Sequence, residues 1–476
     1  MSRELESLAA ACVFPGFHGL SAPDWIRTWL ERGLGGVVLF GRNVAGGADQ
    51  VRALTGELRA GREDVLIGID EEGGDVTRLE AAAGSSYPGN HALGVLDDVG
   101  LTERVAASIA ADLAAVGINL NLAPVVDVNS NPLNPVIGIR SFGAEPELVA
   151  RHGAAFVTGT QAVGVAACAK HFPGHGDTEL DSHKDLPVVG ADLETLRERE
   201  LVPFRAAIAA GVRAIMTAHV LVPALGLGPA TLSAGVLQRL LREDLGFGGM
   251  AMTDALEMGA ISRSVPMGEA GVRALAAGAD ALCLGAKIQA RHVQETCNAI
   301  VQAVRAGALA EERLREAAHR VRATSGWASG RGSASSDAGV GLTAARRVLE
   351  VEGEVRLGRA PAVVELRPEA NVAAGDAAYG LGDVLRERLP DTEVLLLRGT
   401  ADEIPLDGRQ LVIVTNNAHR HAWERELVES LLAAAEDAVV VEIGMPYWRP
   451  AGASGYVATH GAGRVNLQAA VERLAG

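Results

Sequence analysis

The sequence predicts an α/β protein in which a (β/α)8 barrel of the triosephosphate-isomerase type is followed by a smaller α/β/α sandwich domain. Eight short apolar runs alternate with helical patterns in the first part of the chain. Runs that are apolar throughout, separated by helices, are parallel strands buried on both faces. A second, shorter set of apolar runs and helices follows. Between the two sets lies one break in composition, residues 328–341 (ASGRGSASSDAGVG), with no apolar periodicity. Such a stretch cannot recover its ordering entropy by burial, so it is a linker. The division is therefore 1–327 for the barrel, 328–341 for the linker and 342–476 for the sandwich. A length of 476 residues, at roughly 150 per domain, accommodates it.

The eight runs are 10–14, 35–40, 65–69, 118–122, 165–169, 213–217, 250–253 and 279–284. Segments 25–32, 51–58, 104–116, 148–162 and 192–210 lie between them and carry apolar residues at helical spacing. Eight βα units in this length fit one closed barrel. An open doubly wound sheet is the alternative that pattern alone leaves. In the second part, 363–366, 394–397, 411–415, 439–443 and 456–459 are strands, with helices such as 425–435 between them. No glycine-rich fingerprint follows its first strand. His460-Gly461-Ala462-Gly463 comes after the last one and reads as an ordinary turn rather than a nucleotide site. Tyr447 and Trp448 are its one aromatic pair, read as core packing.

Composition narrows the function. The chain is 48% hydrophobic, enough for a sizeable core, and carries a formal charge of −16 without a long basic run. Nucleic acid and anionic membrane surfaces both need concentrated positive charge, so neither is an expected partner. Only 8 Phe, 5 Trp and 4 Tyr are present, which disfavours an extended platform for stacking polysaccharide. The acidic start does not resemble a signal peptide, and no apolar run has the length of about 18 residues that a membrane helix needs. Cys12, Cys168, Cys283 and Cys297 lack pairing or metal-like spacing, as in a reducing compartment. The expectation is a cytoplasmic protein without membrane attachment.

The chemistry of such a barrel sits where its strands end. Asp70 closes the third run, Asp127 follows the fourth, Lys170 and His171 close the fifth, His219 follows the sixth and Asp254 closes the seventh. One such group alone is as readily a cap or a satisfied core residue; together they imply a polar pocket. The densest segment is 170–187, KHFPGHGDTELDSHKDLP, stiffened by Pro173 and loosened by Gly174 and Gly176. His171 and His175 are four apart, but Pro173 and the glycines break the helix that a zinc pair of this spacing requires. No metal is therefore expected. Asp181-Ser182-His183 is more informative. A carboxylate two residues from an imidazole can bond one ring nitrogen and raise the pKa, leaving the other nitrogen to hand over a proton near neutrality. The pair lacks a nucleophile, and no G-x-S-x-G elbow supplies a serine. A carboxylate from another strand is the natural candidate, with Asp254 well placed.

The same segment resembles the signature of the bacterial β-N-acetylglucosaminidases of glycoside hydrolase family 3. IDEEGGDVTRL (69–79), NLAPVVDV (121–128), VIGIRSFG (136–143), MTAHV (216–220) and MTDALEM (252–258) resemble that family's blocks, in its order. The second part resembles the second domain of the two-domain members, with weaker motifs. The resemblance implies Asp254 as nucleophile and His183 as general acid/base, held by Asp181. It implies Asp70, Arg78, Arg140, Lys170 and His171 as the lining of a pocket for the non-reducing sugar. The D-x-H loop separates this branch from members whose second domain supplies a glutamate acid. Glu71 and Asp75 stand where the family often has Gln and Arg, which bears on leaving-group preference.

The implied reaction is a retaining double displacement without metal or organic cofactor. It would release terminal N-acetylglucosamine from short oligosaccharides or from muropeptides in cell-wall recycling. An imidazole does not repel an incoming anion as a carboxylate does. A β-N-acetylglucosaminide phosphorylase using the same residues is thus the nearest alternative, and a non-catalytic amino-sugar-binding protein is the other. The expected partner is a small carbohydrate, and the sequence leaves the oligomeric state open.

Overall fold

The computed structural model describes residues 2–182, 185–328, 335–369, 373, 375, 379–399 and 408–476. They fall into two compact units. The first comprises residues 1–71, 102–137 and 143–337. Its strands are β1 (Val13–Pro15), β2 (Gly36–Leu39), β3 (Leu66–Ile69), β4 (Leu120–Asn121), β5 (Ala166–Phe172), β6 (Ala214–Thr217), β7 (Met250–Thr253) and β8 (Leu282–Gly285). Strands β2 to β7 pair in chain order, each parallel to the next. β8 pairs in parallel with β1, and one bridge links Met252 of β7 to Ala281 beside β8.

Every residue of these strands is buried, which is why their sequences are mostly apolar rather than alternating, with polar residues such as Asn121, Lys170 and His171 towards their carboxyl ends. Phe14, Val38, Leu66, Leu120, Cys168, Met216, Met252 and Cys283, one from each strand, belong to a single apolar cluster. Asp280, fully buried just before β8, takes Arg242 at 2.5 Å and Arg313 at 2.6 Å. It thereby fastens the helix Glu311–Ala328 to the sheet.

Three details differ from the sequence reading. Residues 10 and 11 end the helix Ser2–Ala11, and β1 starts only at Val13, where pairing with Leu282 begins. A short apolar stretch cannot by itself distinguish a buried helix end from a strand. β5 runs on to Phe172, taking Lys170 and His171 into the strand. Segment 192–210 is not one regular helix: a π-helical stretch, Leu196–Glu200, separates Leu193–Thr195 from Leu201–Ala209. Pro203, just beyond, has no N–H to return to the preceding turn.

The second unit comprises residues 72–101, 138–142 and 338–476. Its sheet contains β9 (Glu350–Gly353), β10 (Ala362–Leu366), β11 (Glu393–Leu397), β12 (Leu411–Thr415), β13 (Ala438–Glu442) and β14 (Gly455–Ala458), in the spatial order β11-β10-β12-β13-β14-β9. All pairs are parallel except β14–β9. One face packs on helices Leu381–Arg386 and Arg464–Leu474, the other on Ala422–Ala434. Trp448 packs against the second of these cores, whereas Tyr447 is half exposed. The sequence did not announce β9: Glu350, Glu352 and Gly353 make it polar, as an antiparallel edge strand permits. Residues 72–101 and 138–142 join this unit through contacts remote in sequence. Val465 donates its N–H to the Ser85 carbonyl at 3.4 Å, and Arg347 pairs with Asp98 at 2.8 Å. Of residues 328–341, 329–334 lie outside the described residues, Ala328 ends one helix, and residue 340 opens the helix Val340–Val348. Among the described residues no helix is long and apolar enough to cross a membrane.

Candidate active site

In the first unit the ionisable groups gather where β3 to β7 end. Asp70 is the first residue past β3, and Lys170 lies in β5. Lys170 is 2% exposed, and its Nζ meets Asp70 Oδ1 at 2.7 Å. A buried ammonium requires such a partner, because leaving the pair broken costs several kcal/mol, on the order of 3–5. Beside Lys170, His171 turns its Nδ1 to Asp127 Oδ2 at 2.7 Å. Asp127 is fully buried and also accepts the His175 amide at 2.7 Å and the His171 amide at 3.2 Å. Burial pushes the Asp127 carboxyl upward, but the charge and hydrogen bond of His171, with His175 nearby, hold it below the usual carboxylate range. Asp127 therefore stays ionised and orients the His171 ring.

Asp254 directly follows β7. Its N–H donates to the Thr217 carbonyl at 3.2 Å, extending the β6–β7 pairing, and its Oδ1 accepts the Ala255 amide at 2.7 Å. His219, fully buried, places Nδ1 at 2.9 Å from Thr231 Oγ1 and Nε2 at 3.0 Å from the Ala255 carbonyl. It thus braces the residue next to Asp254 and does not face solvent.

The long loop after β5 is built from its own polar groups. His175 sits with Nδ1 at 2.9 Å from Thr178 Oγ1 and Nε2 at 3.1 Å from Ser182 Oγ. Asn134 donates to the carbonyls of His175 and Gly176 at 2.9 and 3.0 Å. From outside, Arg199 binds Asp177 at 2.6 Å and the buried Glu200 at 2.7 Å. Burial pushes the Glu200 carboxyl up to about 7, against the pull of Arg199. Asp181 is half-buried and described; His183 lies outside the described residues.

In the second unit Arg140 is buried with a two-pronged bond to Glu72, Nε to Oε2 at 2.9 Å and the terminal nitrogen to Oε1 at 2.8 Å. Its carbonyl accepts from the Asn90 side chain at 2.7 Å. Glu72, Asp75, Asn90 and Arg140 line a small cavity. Asp75 accepts the Ala462 amide at 2.9 Å, and Tyr379 donates to the Ala462 carbonyl at 2.9 Å. The turn 460–463 is therefore engaged in packing, and Asp75 is its anchor. Burial raises the Asp75 carboxyl to about 6, despite that amide bond and with Glu72 adding to the rise. Arg78 donates to the Ala373 carbonyl at 2.7 Å.

Of the residues singled out in the sequence, Asp70 and Lys170 meet directly, and Asp254 takes its place at the end of β7. His171 meets Asp127. Arg78 and Arg140 lie in the second unit. The sequence reading missed three features: Glu72 as the partner of Arg140, His175–Ser182 as an internal brace, and the Asp177–Arg199–Glu200 chain. Only the first had a local signal, the unbroken acidic run Asp70-Glu71-Glu72 on an otherwise apolar strand end.

Residues 22–324 match the glycosyl hydrolase family 3 N-terminal domain. The chain belongs to glycosyl hydrolase family 3. Among curated relatives of this family 3 chain, beta-hexosaminidase A of Pseudoalteromonas piscicida is 40% identical over 270 residues, which cover 52% of this chain and 45% of that protein. The beta-hexosaminidase of Methylococcus capsulatus is 40% identical over 250 residues, covering 52% of this chain and 74% of that protein. The chain thus spans under half the length of the first relative. Among solved structures, a family 3 beta-N-acetylglucosaminidase from Paenibacillus sp. str. FPU-7 is similar with a TM-score of 0.87 and 34% identity, over 99% of this chain and 97% of that one.

Proposed function

We propose that this family 3 chain is a retaining exo-β-N-acetylglucosaminidase whose first part, 1–327, closes as a (β/α)8 barrel and whose second part, 342–476, is a sandwich domain. The observation that carries the reading is the gathering of Asp70–Lys170, Asp127–His171 and Asp254 at the ends of neighbouring parallel strands. The sequential strand order, the β1–β8 pair and the Met252–Ala281 bridge support closure. The hexosaminidase relatives and the Paenibacillus enzyme support the choice of sugar.

In this reading Asp254 attacks the anomeric carbon while His183 gives its proton to the glycosidic oxygen. The bond to the leaving sugar breaks and a covalent glycosyl–Asp254 ester forms. His183, now neutral, takes a proton from water as the water oxygen displaces Asp254, so the β configuration is kept. Asp181 orients the His183 ring. The residues proposed to bind hydroxyl groups of the non-reducing sugar are Asp70, Arg78, Arg140, Lys170 and His171. No metal or organic cofactor takes part. Short oligosaccharides or muropeptides taken into the cytoplasm for cell-wall recycling are the substrates.

A proton NMR time course with an aryl N-acetyl-β-glucosaminide in phosphate buffer tests this directly. Free N-acetylglucosamine appearing first as the β anomer is expected. First appearance of the α anomer rules out retention, and N-acetylglucosamine 1-phosphate makes the chain a phosphorylase.

A further inference from the structure

We infer that His175 is a positioning residue for the acid/base step, acting through Ser182. The inference rests on the reading above, in which Asp181 and His183 form the proton-transfer pair. Ser182 is the residue between them and is covalently joined to both, so a bond that holds Ser182 acts on the pair through the chain.

Two bonds fix it. The His175 ring spans from Thr178 Oγ1 (2.9 Å) to Ser182 Oγ (3.1 Å), and the Ser182 carbonyl accepts the Ala260 amide at 3.4 Å, in the segment that follows Asp254. The ring is itself seated, since the His175 amide is held by Asp127 at 2.7 Å and its carbonyl by Asn134 at 2.9 Å. His175 and Ser182 are each 2% exposed, so their side chains are committed to each other rather than to a substrate. The loop needs such a brace. Residues 173–182 form no helix or strand, so side-chain bonds must offset the entropy cost of ordering them. Burial pushes the His175 imidazole down to about 4, with Asp127 opposing the shift. The ring therefore stays neutral near pH 7, and the brace does not switch there.

Ser182→Ala removes the bond and little else. The test compares it with wild type on 4-nitrophenyl N-acetyl-β-glucosaminide, whose leaving group departs without protonation, and on N,N′-diacetylchitobiose, whose leaving group does not. On the disaccharide kcat/KM is expected to fall about 10- to 100-fold, a part of the roughly 10²- to 10⁴-fold that general acid catalysis supplies. On the aryl substrate kcat and KM should fall together, leaving their ratio within about threefold, because only the second, base-assisted step is slowed. Equal loss of kcat/KM on both substrates, or no loss on either, overturns the inference. His175→Asn, which still reaches Thr178 but falls short of Ser182, should reproduce the same split. His175→Gln, whose amide extends towards Ser182, should recover most of the disaccharide activity. Failure of Gln to exceed Asn counts against the brace. His183→Ala separates the two layers. Without the split in that variant the acid assignment itself falls. With it, and with Ser182→Ala like wild type, only the positioning role falls.

Discussion

Asp127 and Glu200 show how local environment sets the charge state of a buried carboxylate. Asp127 is buried yet held ionised by His171, while Glu200, behind the same loop, is pushed up to about 7 by burial even though Arg199 touches it. The difference lies in how many donors converge: Asp127 takes two backbone amides and an imidazole, whereas Glu200 has Arg199 on one oxygen and, among the described residues, no bond to the other. Asp254 accepts the Ala255 amide, is half-buried, and sits on a backbone braced by β6 and His219. A nucleophile needs that combination of fixed backbone and accessible oxygen. Asp254→Ala should therefore leave the fold in place and lower kcat/KM by a factor on the order of 10⁴ or more. Circular dichroism and a melting curve matching wild type would confirm the fold. Turnover within tenfold of wild type would remove Asp254 from the nucleophile's place. Asp70 and Asp254 were legible in the sequence because each ends a run whose burial is unmistakable. The Asp127–His171 bond was not, since 44 residues separate its partners and neither segment encodes the distance.

Elements were legible in proportion to how apolar they are. The parallel strands of the first sheet and the inner ones of the second show as apolar runs because neither face meets water; the edge strand β11 is apolar although Leu395 and Leu396 are exposed, while β9 is a polar edge strand and passed unnoticed. The loop after β5 stood out in the sequence for its density of ionisable groups, but the purpose of its glycines was not legible. Sequence alone suggests that Gly174 and Gly176 loosen it. In the folded chain they allow close approach: a Cβ on Gly174 would lie 2.5 Å from Glu200 Oε2, and one on Gly176 would collide with the Val128 carbonyl. Gly174 also has φ +131°, where side chains other than glycine are strained. Backbone cannot step aside as a flexible side chain can, so Gly176→Ala is the sharper probe. It should cost about 1–3 kcal/mol of stability by overpacking. It should also lower kcat/KM at least tenfold, since the Asn134 bonds to His175 and Gly176 are displaced with it. Urea denaturation and steady-state kinetics on one preparation measure both. A variant as stable and as active as wild type would mean that the loop does not pack against the strand β4 segment in this way.

Across the whole molecule the chain order and the compact units diverge, because residues 72–101 and 138–142 cluster with 338–476 rather than with their sequence neighbours. No local pattern announces such interleaving; it depends on pairs such as Asp75–Ala462 and Arg347–Asp98, hundreds of residues apart. Burial of ionisable groups is likewise spread over both units, and it sets the pH response. Asp75, Glu200 and Glu424 are raised to about 6, 7 and 8, chiefly by burial, while His91 and His175 are lowered to about 3 and 4 for the same reason. A raised carboxyl keeps a proton in the folded chain that the unfolded chain has lost, so its stabilising effect declines as pH rises towards the folded value. A lowered imidazole is the reverse: the unfolded chain takes up a proton as pH falls below 6.5, and stability declines downward. Between about pH 4.5 and 6.5 the two sets offset one another. Above 6.5 the imidazoles are neutral in both states and the carboxyls alone remain, so stability should fall between pH 6.5 and 8. Glu424 is the cleanest member to remove. It is fully buried, accepts the Asn416 amide at 3.2 Å on one oxygen, and among the described residues has no bond to the other, as a protonated carboxyl can tolerate. Glu424→Gln keeps the shape and cannot titrate. At about 1.4 kcal/mol per pH unit, it should cancel about 2 kcal/mol of the decline over that window, whatever constant offset the amide brings. Melting curves at pH 6.5 and 8 decide it: a smaller drop in Tm for Glu424→Gln than for wild type is expected, and an equal drop would show that Glu424 is already ionised in the folded chain.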